Sequence, residues 1–197
     1  MKRNNISNKK NSVDYNWIIK ISIISFIISI TFSFISETAI PNVNIIIGVL
    51  LAITFILIGI VFDMIGVAVT ACDEAEFHSM ASQKVSGARM AVKLKKNASK
   101  VSSFCNDVVG DICGIISGST GAVISIKLSQ LTNFNPLLIT LIVMGIISTL
   151  TIGGKAIFKG YAIKKSNKIL FKFAKTISVF SKDWGELWKK VLLLLNY

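Results

Sequence analysis

Four long apolar runs constrain this chain more than any other feature: residues 17–36, 43–71, 104–126 and 136–153. A helix needs roughly 20 residues to cross a hydrocarbon core, and each run is near that length or beyond it. The predicted fold is therefore all-α: a polytopic helical membrane protein with four transmembrane helices and amphipathic interfacial helices. Composition agrees, because 52% of the 197 residues are hydrophobic and only two are proline. A soluble domain of this size is rarely so apolar.

The chain carries a net charge of +12, and where that charge lies decides what it means. Lys2, Arg3, Lys9 and Lys10 precede the first run. Lys84, Arg89, Lys93, Lys95, Lys96 and Lys100 stand between the second and third, and lysines recur from Lys155 to Lys190 after the fourth. The other two connections, 37–42 and 127–135, hold only Lys127. Basic loops stay in the cytoplasm, so both termini and the middle loop are expected there, in a multi-pass protein of the cell membrane. The same pattern excludes nucleic acid as a partner, since the lysines flank spans and no nucleic-acid motif accompanies them. The bilayer is the expected partner.

The first run also has the basic flank of a signal peptide. Its apolar stretch is long, however, and no small-x-small cleavage site follows, which favours a span. Residues 1–16 are rich in Asn, Ser and Lys and read as a disordered basic segment. Residues 17–160 read as the transmembrane domain, and 161–197 as a basic amphipathic cytoplasmic tail with Trp184 and Trp188 as anchors. Pro41 is placed to open the second helix. The segment 73–100 reads as cytoplasmic helix, with Phe77, Met80, Ala81, Ala88 and Ala91 near helical spacing. Cys72, Cys105 and Cys113 form no CxxC pair and read as small buried hydrophobes. His78 reads as a lone interfacial residue. No nucleophile–base pair stands in the sequence, so an enzyme is not expected.

Charged and polar groups inside the runs are costly and usually face a cavity or a partner. Asp63 lies in the second run. Asn106, Asp107 and Asp111 lie near the start of the third. Gly110, Gly114, Gly118 and Gly121 recur at intervals of four or three, the spacing of a close helix–helix seam. Gly153-Gly154-Lys155 ends the fourth run, where a helix break is expected.

These residues resemble a known pattern. The out-to-in helix of the CorB/CorC (cyclin M) magnesium-transporter family carries Ser-x-Ser-Glu-Thr-Ala-Leu. An amphipathic helix with a Gly-Ala-Arg-like turn follows it. The chain has Val61-Phe-Asp-Met-Ile-Gly-Val-Ala-Val-Thr, then Phe77-His-Ser-Met-Ala and Gly87-Ala88-Arg89. The family's next helix opens with Gly-Asn-Asn-Leu-Val-Asn, against Cys105-Asn106-Asp107-Val108-Val109-Gly110 here. Its last span ends in Gly-Glu-Ile-Ile-Pro-Lys, against Gly154-Lys155-Ala156-Ile157-Phe158-Lys159. Order and spacing are similar across roughly residues 55–165.

The resemblance implies transport of Mg²⁺ or Co²⁺, a homodimer, and a site where side-chain oxygens hold a dehydrated cation within the membrane. Only Asn106 of the family's ligands is retained. Asp63 stands at a ligand serine, Gly66 and Lys155 replace glutamates, Phe158 replaces a proline, and the family's cytoplasmic CBS pair is absent. Asp63, Asn106 and Asp107 are the expected metal ligands, with Asp111 as a further intramembrane polar group. Lys155 is expected either to pair with Asp63 in place of the cation or to snorkel to the surface. Two further readings compete with transport. One is a non-transporting structural or regulatory membrane protein that keeps the fold. The other is a small membrane-permeabilising protein, favoured only by size and the basic tail.

Overall fold

A computed structural model describes residues 15–39, 44–132 and 134–183. Among these residues the chain is helical throughout, with no strand. Its helices are α1 (Tyr15–Ala39), α2 (Ile45–Ala71), α3 (Glu74–Ser82), α4 (Ala88–Lys96), α5 (Ala98–Ser103), α6 (Gly110–Thr132), α7 (Pro136–Lys164) and α8 (Ser166–Asp183). A π-helical turn, Phe104–Val109, joins α5 to α6. Pro41, Trp184, Trp188 and most of the expected disordered N-terminal segment lie outside the described residues.

Four helical stretches are long and apolar enough to cross a membrane, as the four runs require. The third is longer than its apolar run. It extends over Ala98–Thr132, because the polar residues of α5 continue the same helix. α2 lies at the centre, against α6 and α7 along its length and against α8 at its end. α1 rests on α6. α1 and α7 leave large apolar side chains outside, among them Phe26, Ile27, Ile142 and Leu150. In water such surface would drive association; in a bilayer it is the surface that lipid covers. Hydroxyls within the spans bond back to their own helix, as Thr120 does to the Ile116 carbonyl at 2.7 Å and Ser125 to that of Gly121 at 2.7 Å. That leaves them no unmet polar demand in hydrocarbon.

The expected break at Gly153-Gly154 does not occur: α7 runs unbroken to Lys164. Gly154 instead lets α2 approach, since a Cβ there would collide with Ile60. Close contact offsets the roughly 1 kcal/mol that glycine costs a helix.

The segment 73–100 folds as two helices and the start of a third rather than one. Asp73 caps α3 by accepting from the Ala75 N–H at 3.0 Å. Lys84 (φ 57°) and Gly87 (φ 89°) then turn the chain. Gly87 is required twice over, because a Cβ would lie 2.9 Å from the Lys175 Cα of α8. Phe77, Ala91, Leu170 and Ala174 are fully buried in one cluster with Ile65 and Val69 of α2. The apolar stripe of α8 therefore packs on protein at the end of α2. The Lys95 ammonium donates to the last carbonyls of α2, Thr70 at 2.9 Å and Val69 at 3.3 Å, countering the helix dipole there. Beside it, burial pushes the Cys72 thiol up from its ordinary pKa, with the Lys95 charge acting in the opposite direction. His78 is not alone: its Nε2 lies 3.1 Å from Glu74 Oε1, one turn back on an exposed face.

Candidate cation site within the membrane spans

The π-helical turn inserts one residue into an otherwise regular helix, a feature that often marks functional positions. It carries Asn106 and Asp107 in adjacent places, so the two side chains leave the helix in different directions. Asn106 meets α2 at Gly66. A Cβ on residue 66 would overlap Asn106 Oδ1, so the glycine is the space in which the amide sits. Asn106 Nδ2 reaches Ser102 Oγ at a long 3.4 Å. Asn106 Oδ1 is buried and has no hydrogen-bond partner among the described residues. A buried acceptor left unmade costs about 1–3 kcal/mol, so an unpartnered one within a membrane span calls for an explanation.

Asp63 stands three residues before Gly66 on α2. The Lys155 ammonium of α7 lies 3.9 Å from its Oδ1, with side-chain exposures of 28% for the lysine and 18% for the aspartate. Lys155 therefore reaches the acid while its side chain stays partly exposed. Gly110, the first residue of α6, lies next to the amine: a Cβ there would be 3.5 Å from Nζ, an ordinary contact. On the same interface Gly59 faces Cys113, whose Cβ would be 3.2 Å away from one added to the glycine. Antiparallel packing of α2 on α6 thus sets Gly66 against Asn106 and Gly59 against Cys113, while Lys155 reaches Asp63 from α7.

Asp107 and Asp111 belong to another face. Both are exposed and line a groove of about 440 Å³ between α1 and α6, with Trp17, Ser22, Ser25, Ser29 and Ser103. Of the expected ligands, then, Asp63 stands beside Lys155, Asn106 stands against Gly66, and Asp107 stands with Asp111. Among the described residues no three His, Cys, Asp or Glu side chains stand close enough together to hold a metal ion. Asp63 and Asn106 offer hard oxygens of the kind Mg²⁺ takes. A near-octahedral shell would need further oxygens from water or backbone. An ammonium in that shell repels the ion, so the site as it stands fits a monovalent charge already present.

The glycine seam divides in the same way. Gly110 borders the amine, and Gly121 receives Ile147 of α7. Gly114 and Gly118 have nothing within 4 Å of an added Cβ. They line an open groove of about 340 Å³ with Met144, Ile147, Ser148 and Thr151. Ser102 and Gly110 were not among the residues that the sequence singles out for the site. A polar pair at 106 and 107 inside a span was the available signal, and the extra residue of the π turn leaves no trace in hydrophobic spacing. No protein-family model, curated protein or solved structure matches this chain.

Proposed function

We propose that the protein is an integral membrane protein of the CorB/CorC type that handles a divalent cation, Mg²⁺ or Co²⁺, at an altered intramembrane site. Its termini and residues 73–100 lie in the cytoplasm. The observation that carries the reading is the buried, unpartnered Asn106 oxygen, seated against Gly66 three residues along α2 from the Asp63 carboxylate. A polar group left without a partner inside a span usually faces a cavity or a ligand.

The test is divalent flux into proteoliposomes of the purified chain. The wild type is expected to carry Mg²⁺ or Co²⁺ above protein-free vesicles, and Asn106→Ala to reduce the rate by an order of magnitude. Equal rates for wild type, variant and empty vesicles would contradict transport. The Lys155–Asp63 pair favours a second reading, a structural or regulatory membrane protein of the same architecture whose ion position is filled by its own lysine. That reading predicts no flux, together with a folded and lipid-inserted protein.

A further inference from the structure

We infer that Lys155 acts as a tethered cation, its ammonium holding beside Asp63 the place that a free cation would take and so lowering the affinity of the site for one. The inference rests on the reading of Asp63 and Asn106 as cation ligands, and it concerns what controls their occupancy.

The geometry has four parts. The ammonium lies beside the carboxylate at 3.9 Å, longer than the roughly 2.7–2.9 Å of a tight charge-assisted bond. The pair is thus electrostatic and loose, and the amine has room to move. Gly110 borders Nζ: a Cβ there would lie 3.5 Å from the amine, in ordinary contact with it. Asn106 Oδ1 receives no donor from Lys155 or from any other described residue, so one of the two oxygens is still open while the lysine is in place. Finally α7 continues unbroken through residue 155, which fixes the lysine Cα and leaves only its four-carbon stem to swing.

At about 4 Å the ammonium repels a divalent ion as strongly as Asp63 attracts that ion at the same distance. A divalent ion and the Lys155 ammonium therefore exclude each other from this position. Entry of the ion requires the stem to turn along α7 towards its exposed end, where Lys159 stands one turn further. The charged lysine is a competitor whose local concentration is fixed by its tether. It lowers the apparent affinity for any free cation without changing the oxygens that would hold it.

The experiment measures binding of Mg²⁺ and Co²⁺ chloride to the full chain in nanodiscs, by calorimetry and by the ion-dependent shift of the melting temperature. Lys155→Met and Lys155→Gln are expected to bind at least about tenfold more tightly than the wild type and to melt higher as ion is added. Lys155→Gln keeps an amide donor for Asp63, which preserves the fold if the methionine variant is lost. Lys155→Arg keeps the charge and is expected to behave as the wild type. Adding Asn106→Ala to Lys155→Gln should remove the gain. Equal affinity in the wild type and the Met and Gln variants would overturn the inference, as would an equal gain in Lys155→Arg. Absence of wild-type flux with a gain in the Gln variant would contradict transport and leave the tethered cation standing.

Discussion

Removing the Lys155 ammonium strands the Asp63 carboxylate inside the spans, and the size of the penalty reports how strongly the two are coupled. At the observed 3.9 Å, an effective dielectric near 20 gives an attraction of about 4 kcal/mol. Desolvation of both groups opposes it, so the net pair is worth much less than that figure, whereas loss of one partner exposes the cost of the other. Breaking a fully buried pair costs about 3–5 kcal/mol. With the side chains still 28% and 18% exposed, Lys155→Met is expected to lose about 2–3 kcal/mol. Asp63→Asn is expected to lose a similar amount. The double variant should recover part of the loss, leaving a coupling energy of about 1–3 kcal/mol. Denaturant titration in mixed micelles, following helical circular dichroism across the four proteins of the cycle, provides the numbers. A coupling energy below about 0.5 kcal/mol would refute the pair, because residues that do not interact add within that margin.

Gly66→Ala places a methyl group on Asn106 Oδ1, so the amide must rotate or the π turn must shift. A loss of about 1–3 kcal/mol is expected from such overpacking, and a melting temperature equal to that of the wild type would show that the space is not needed. Single cysteines in a background without Cys72, Cys105 and Cys113 test the topology: Gln130→Cys, exposed where Ser129 is buried, should react with an impermeant maleimide on intact cells. Ser99→Cys should react only after lysis, and its labelling from outside would overturn the assigned orientation.

The spans were legible because a bilayer asks for length and apolarity, which runs such as 43–71 display directly. The Asp63–Lys155 pair was also within reach, since both are charges that a span tolerates only with a partner. The grouping of the acids was not. Asn106 and Asp107 are neighbours in sequence, and their adjacent places on the helix send one towards Gly66 and the other towards α1. Hydrophobic period cannot register one inserted residue. The seating of α8 was hidden for a different reason. Leu170, Ala174 and Ile177 make the same stripe whether it meets lipid or protein, and the choice depends on Phe77 and Ala91 far away in sequence. The turn at Gly87 had its signal in Gly87-Ala88-Arg89, although the spacing of the apolar residues on either side of it reads as one helix.

The central claim is that a carboxylate and an ammonium meet between the spans, and a distance measured in a bilayer tests it most directly. Solid-state NMR on the full chain in lipid, with labelled lysine and aspartate and with Asp63→Asn and Lys155→Arg for assignment, gives the separation of Lys155 Nζ from the Asp63 carboxyl carbon. The account predicts a dipolar coupling corresponding to roughly 4–6 Å, a range in which an opposite charge still acts on its neighbour. A Lys155 amine in contact with water and showing no coupling to Asp63 would contradict it.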